Sequence, residues 1–362
     1  MIVLNMIVKN ESNIIERCLD SLLEIIDAIV ICDTGSTDNT IEVINNWKDK
    51  NGVLGEIYQH DWVNFEHNRN LALNCCKEWI FNNSNEEDNY ICNIDADDYL
   101  VIKDEELFRS TCILNKSKMK IDIKYDDTIY TRTFIFPSNV KSKWEGALHE
   151  QLICDAPDSK LEGAHILVNR DGDRNKDPMK YLKDVLVLEI ALEKDPENSR
   201  NLFYLAQSFR DFDYKIMAEK LYLERFDIEN NNEERYICLL EAGKCRIKRG
   251  KNNNKTLDIL MKAFSFNSRR LEAAYYIIRY YISKELYSMG YYFGKSLLDI
   301  PIPTGLFIDT SIYKWRFLEE VAICACWVQD KELFRNLSER ILELDIPEKD
   351  KNRISENLNV FG

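Results

Sequence analysis

The chain has 362 residues, 45% of them hydrophobic, and a formal net charge of −14, enough length for two ordinary domains and enough apolar content for a folded one. The acidity is uneven: up to Lys176 there are 19 basic and 32 acidic residues, a balance of −13, and beyond it 29 against 30. With no basic stripe to displace counterions from a duplex, a role in binding double-stranded nucleic acid is excluded.

The 11 cysteines are scattered without a CxxC pair. That argues against a zinc cluster or a disulfide framework and for reduced, mostly core thiols in a cytoplasmic setting. The opening apolar run, Met1 to Val8, is interrupted by Asn5 and is too short for a signal or membrane helix; nothing longer follows.

That first run reads as a buried parallel strand, broken by Lys9-Asn10-Glu11-Ser12. A helix follows from about Asn13, with Ile14, Ile15, Cys18, Leu22, Ile25 and Ile26 at helical spacing. AIVIC, from Ala28, is a second strand, ending in Asp33-Thr34-Gly35-Ser36-Thr37-Asp38, a polar turn suited to capping the next helix, which carries Ile41 to Trp47. A third strand runs from Gly55 to Gln59, a helix from Glu66 to Phe81, and a fourth strand, Tyr90 to Ile94, runs into Asp95, Asp97 and Asp98. Strands alternating with helices predict an α/β fold with helices on both faces of a parallel sheet, and ligands in such sheets bind beyond the carboxyl ends of the strands. Asn10, Glu11, Asp33, Asp61, Asp95 and Asp97 all fall at or past those ends. Three carboxylates within four positions repel one another unless a cation relieves them, and an oxygen-loving divalent metal would do so. No GxGxxG or Walker loop is present, and a calcium loop from Asp95 fails because Leu100 stands where the sharp turn needs Gly.

Beyond this, Asp98 either caps a helix beginning near Lys103 or supports Asp97, a helix is expected over 107–114, and strands at Ile121-Ile123 and Ile129 to Phe136 make the sheet mixed. Trp144-Glu145-Gly146-Ala147-Leu148-His149-Glu150 follows, and Arg170-Asp171-Gly172-Asp173-Arg174 ends the half. His60, His67 and His165 lack catalytic company and read as structural. From Pro178 the pattern is helical throughout. Ala206, Ala242 and Ala274 recur at intervals bracketing the 34-residue tetratricopeptide period. Roughly three degenerate helical pairs plus caps follow from this spacing. The domains expected are 1–176 and 177–362. The paired tyrosines at 275–276, 280–281 and 291–292 read as core.

Val8-Lys9-Asn10-Glu11-Ser12, Cys32 to Asp38 and Ile94-Asp95-Ala96-Asp97-Asp98 together resemble the three ordered signatures of family 2 glycosyltransferases with the GT-A fold. Trp62-x-Asn64-Phe65-x-x-x-Arg69-Asn70 and Trp144-x-Gly146-x-x-His149-Glu150 resemble the branch that includes the peptide S-glycosyltransferases of glycocin biosynthesis, whose catalytic domain precedes tetratricopeptide-like helices. The resemblance implies a GT-A Rossmann-like domain followed by an all-α repeat domain, and a metal-dependent, inverting transfer of a hexose such as glucose or GlcNAc from a UDP-sugar to a protein or glycan acceptor. It implies that Val8, Asn10, Glu11, Asp33, Asp61 and Ala96 line the nucleotide, with Asp33 and Asp61 toward a uracil-like edge. It further implies that Asp95 and Asp97 form a DxD pair holding Mn2+ or Mg2+. Glu150 is the candidate base and His149 a third metal ligand or phosphate contact, with the roles open to exchange. Arg69 suits a phosphate or a structural pair with Asp33 or Asp61. Arg170 and Arg174 suit a lid over the diphosphate or a solvated linker. The helical half suits a homodimer interface, acceptor docking or a platform. A sugar-phosphate nucleotidyltransferase and a repeat scaffold with a decayed transferase are the other readings.

Overall fold

β-Branched apolar runs open the chain, and in the computed structural model, which describes residues 1–85, 88–112 and 116–362, they form the middle of a sheet. In chain order come β1 (Ile2–Val8), α1 (Ile15–Leu22), β2 (Ala28–Asp33), α2 (Thr40–Asn51), β3 (Leu54–Gln59), α3 (Phe65–Asn83) and β4 (Tyr90–Asn93). The four strands are parallel. Every residue of β2 is buried, as a parallel strand covered on both faces must be. Side chains alternate across it: Ile29 and Ile31 pack with Cys18, Leu22 and Trp47 of α1 and α2, whereas Ala28 and Val30 pack with Leu73, Cys76 and Trp79 of α3. Asn5, which interrupts the first run, is buried in β1 and donates to the carbonyls of Val30 (3.2 Å) and Ala72 (3.0 Å), tying the sheet to α3. Gly55 has φ +135°, and a Cβ there would lie 1.8 Å from the Ile29 carbonyl oxygen; only glycine lets β3 come this close to β2.

The sheet continues through β5 (Asp98–Ile102), α4 (Glu105–Thr111), β6 (Lys118–Tyr125), β7 (Thr128–Pro137), a separate hairpin of β8 (Ser142–Glu145) and β9 (Gln151–Cys154), and β10 (Asp158–Val168). The strand order is β3-β2-β1-β4-β7-β6-β10-β5, with β7 antiparallel to β4 and β10 antiparallel to β5. The mixed sheet is as expected; β5 and the strands from β8 to β10 are additions. The helix expected over 107–114 is α4, which ends at Thr111, and positions 113 and 114 lie outside the described residues. Asp98 does not cap it. Asp104 does, accepting from the Leu107 N–H at 2.9 Å, while Asp98 begins β5.

The chain falls into two compact units, residues 1–126 with 130–205, and residues 127–129 with 206–362. Strand gives way to helix after Val168, and α5 (Lys180–Lys194) and the start of α6 (Ser199–Asp211) belong to the first unit. In the second unit, β11 (Ile308–Asp309) pairs with Thr128 and Ile129. Its helices are α7 (Lys215–Asp227), α8 (Asn232–Lys248), α9 (Asn254–Phe266), α10 (Leu271–Ser283), α11 (Tyr287–Lys295), α12 (Phe317–Trp327), α13 (Lys331–Leu342) and α14 (Glu348–Phe361), and each packs on the next. Ala218, Ala242, Ala263 and Ala274 are fully buried where helices cross. Tyr275, Tyr280, Tyr281 and Tyr291 are core, and Tyr292 is exposed. Buried ion pairs run through this unit: Arg225–Glu234 (2.8 Å), Arg246–Glu219 (2.6 Å) and Arg270–Glu272 (2.7 Å). Each charge is compensated, as burial requires.

Candidate active site

Parallel pairing aligns the strand ends. Val8 is in register with Asp33 and Asp33 with Gln59, and Asn5 with Asn93. The residues just past β1, β2, β3 and β4 therefore emerge along one edge, which brings Asn10, Glu11, Asp33, Asp61 and Asp95 together as the alternation predicted.

At β2, Asp33 is 2% exposed. Its Oδ2 accepts from the backbone N–H groups of Gly35 and Ser36, both at 3.0 Å. Its Oδ1 is buried with no hydrogen-bond partner among the described residues. A buried acceptor left open is costly unless a ligand donor fills it. Val8 supplies backbone only, its carbonyl accepting from the Thr34 N–H (2.9 Å). Asn10 is structural here: at φ 59° its Oδ1 accepts from the Thr37 N–H at 2.7 Å, joining the first two loops. The Asp61 side chain is exposed, and its carbonyl accepts from Asn68 Nδ2 at 2.9 Å.

The two tryptophan motifs meet in space. One face of α3 holds the segment from Trp144 to Glu150. Asn70 both accepts from the Trp144 N–H (2.9 Å) and donates to its carbonyl (2.8 Å). Glu66 accepts from the Gly146 N–H (3.0 Å), and the Arg69 guanidinium lies 5.0 Å over the Trp144 ring. Arg69 then donates through Nε to Glu150 and through Nη2 to Asp95 (2.6 Å). The structural pairing considered for Arg69 thus exists, but its partners are Asp95 and Glu150 rather than Asp33 or Asp61.

Asp95 is held from its other side by Arg132 of β7, at 2.8 Å, and Arg132 also reaches Asp98 Oδ2 at 3.4 Å. The result is a chain of alternating charge: Glu150, Arg69, Asp95, Arg132, Asp98. Burial alone would push the Asp95 carboxyl up, but the guanidiniums of Arg132 and Arg69 outweigh it and hold it well below the usual range. Asp98, buried and facing the Asp95 charge with a single longer contact to Arg132, is pushed up to about 8. Arg132 is the residue that sequence reasoning missed; it lies in a stretch without a motif.

Asp97 points elsewhere. It accepts from Asn175 Nδ2 (3.2 Å), and a Cβ on Gly172 would sit 3.0 Å from Asp97 Oδ2 and 3.2 Å from Glu11 Oε1. Burial, opposed by the Asp173 N–H and reinforced by the Asp97 charge, lifts Glu11 to about 7; burial and then Asp95 raise Asp97. Arg170 to Asn175 passes over these two carboxyls. Asp171 takes Arg17 on both oxygens (2.7 and 2.9 Å), and the Asp173 N–H donates to Glu11 (3.3 Å). Arg170 stacks on Tyr125 at 3.8 Å, and Arg174 pairs with Asp184 and lies 4.8 Å over Phe65. This segment is pinned by these contacts, although Arg170, Asp171 and Arg174 remain exposed.

At φ 51°, His149 stacks its ring on Tyr204 (4.2 Å between centroids), and its carbonyl accepts from Arg200 at 2.8 Å. Ala96 is buried in the apolar core beside β4. Among the described residues, Asp95, Asp97 and His149 do not bring three ligand atoms together; the group that does, within 4.8 Å, is Cys32, His60 and Cys75.

No helix among the described residues is long and apolar enough to cross a membrane. Over 225 residues the chain is 25% identical to the SPbeta prophage-derived glycosyltransferase SunS of Bacillus subtilis (strain 168) and, equally, to glycosyltransferase SunS of Bacillus phage SPbeta, covering 57% of this chain and 49% of each relative. The chain thus spans about half the length of these curated relatives. Among solved structures it resembles Pseudomonas aeruginosa pilF (TM-score 0.41, 13% identity, 49% of this chain and 75% of that one). It also resembles a tetratricopeptide repeat protein from Parabacteroides merdae (TM-score 0.40, 14% identity, 50% and 67%). The model of glycosyl transferase family 2 matches residues 4–106, the span that holds Asp33, Asp95 and Asp97.

Proposed function

We propose that this chain transfers a hexose, glucose or N-acetylglucosamine, from a UDP-linked donor to a protein or glycan acceptor with inversion. The observation that carries the proposal is the open Oδ1 of Asp33, buried at the strand-end edge inside the matched domain. It is an acceptor waiting for a donor such as the N–H of a uracil edge. Glu150 takes the acceptor proton, and Arg69 positions it while binding Asp95 on its other side. The Arg170 to Asn175 segment excludes water over Glu11 and Asp97.

The donor set also fits a hard divalent cation. Two half-buried carboxyls, Glu11 and Asp97, flank the bare Cα of Gly172; partial burial raises both, Glu11 further through the Asp97 charge and Asp97 through that of Asp95, a repulsion that Mn2+ or Mg2+ would relieve. Asp95, occupied by two arginines, would orient this pair instead of holding the ion. When bound, the ion would neutralise charge on the leaving diphosphate.

The test is titration with UDP, ADP and GDP with and without Mn2+, followed by thermal shift, and assay of UDP release from UDP-sugars. Selective binding of UDP, tightened by Mn2+, and loss of turnover in Asp97→Asn with the fold intact are expected. Binding of none of the three nucleotides would sink the proposal, and pyrophosphate release from UTP plus a sugar phosphate would redirect it to a nucleotidyltransferase.

A further inference from the structure

Cys32, His60 and Cys75 are far apart in sequence, and their spacing argued against a metal site. The fold removes that objection. Cys32 is the penultimate residue of β2, and its even-numbered register puts it on the face that α3 covers, with Ala28 and Val30. His60 directly follows β3, the neighbouring parallel strand, and its backbone N–H donates to the Asp33 carbonyl at 2.9 Å. Cys75 lies on α3 above them, its Sγ 3.6 Å from His60 Nε2. Among the described residues this is the group whose three ligand atoms all lie within 4.8 Å of one another.

The geometry points to a tetrahedral site for a thiophilic divalent cation, zinc above all, held by two thiolates and one imidazole. With Zn–S near 2.3 Å and Zn–N near 2.05 Å, a tetrahedral angle separates S from N by about 3.6 Å, which is the Cys75–His60 distance found. Two thiolates and a divalent ion sum to zero charge. A neutral cluster can sit against a buried strand where a lone ion would be expensive. Thiolate and imidazole ligands select zinc over the oxygen-seeking ions that would suit Glu11 and Asp97. Both thiols lose their protons to solvent on binding, and the fourth position takes water. The ion would tie the ends of β2 and β3 to α3, one residue before Asp33.

The site is tested on the full chain purified under reducing conditions. Zinc content is measured after dialysis against a weak chelator, and Co2+ is added to the metal-free protein as a spectroscopic probe. Stoichiometric zinc is expected, with a thiolate-to-cobalt charge-transfer band in the near ultraviolet and strong visible absorption of tetrahedral cobalt. His60→Ala and Cys75→Ser, both at partly exposed positions, weaken zinc binding by more than about 100-fold, beyond what loss of an outer-shell partner costs. Cys112→Ser, a thiol outside the group, leaves the spectrum unchanged. Circular dichroism checks that each variant is folded. Absence of the charge-transfer band, or its survival in both ligand variants, would overturn the assignment.

Discussion

Arg69 grips two carboxylates at once, and this decides what each can do. Asp95 has Arg69 on one oxygen and Arg132 on the other, so it stays ionised and fixed across the working pH range. Glu150, with a side chain 8% exposed, pairs with Arg69. A Glu150→Gln exchange keeps the shape and removes the basicity. Donor affinity by calorimetry should stay within about twofold while turnover falls by about 100- to 10,000-fold, the usual worth of a positioned base; full activity would remove Glu150 from the mechanism. Arg132→Gln separates positioning from chemistry. Without that guanidinium the Asp95 carboxyl rises toward its ordinary range, so the acid limb of the pH–rate profile moves to higher pH, and an unmoved limb would refute the coupling. Stability should drop by about 1–3 kcal/mol as Asp95 and Asp98 lose a charged partner. Asp33, Asp95 and Asp97 were legible in the sequence because each closes an apolar run. Arg132 was not: it reaches Asp95 from an antiparallel strand that pairs with β4 only in the folded sheet.

Elements differ in the same way. β1, β2 and β4 announce themselves as continuous apolar runs because both faces are covered. β5 and β10 are hidden because their pattern is mixed and they pair with each other across a long stretch of chain, as with His165 beside Val101. The same pairing buries His165 at 6% exposure. Burial first, then the charges of Lys124 and Lys103, lowers its imidazole to about 4, with Asp122 opposing. The unfolded chain, titrating near 6.5, therefore binds the extra proton between these values, and stability must fall as pH drops from about 6.5 toward 4. The group is worth at most about 3 kcal/mol. Chemical denaturation of the wild type and His165→Leu, at pH 7 and pH 4.5, should show a smaller acid loss in the variant. Equal losses would mean that the histidine is not held neutral.

At the scale of the molecule, the charge is what composition alone made visible: the first 176 residues are 13 charges negative and the rest nearly balanced. A nucleoside diphosphate approaching the first unit meets a field of its own sign, and the nearby cations that would offset it are already committed, Arg69 and Arg132 to Asp95 and Arg17 to Asp171. Screening should therefore help binding rather than weaken it, the reverse of the behaviour of a basic nucleotide site. In the absence of divalent ions, raising monovalent salt from about 20 to about 200 mM shortens the Debye length from roughly 20 Å to below 10 Å. Association of UDP should then become faster. If Mn2+ binds Glu11 and Asp97 as proposed, local repulsion falls and the salt dependence should flatten. Stopped-flow measurement of UDP association across both conditions decides the matter: a metal-free rate that falls with salt would mean that an open cationic surface guides the nucleotide, and that the carboxylate cluster does not govern its approach.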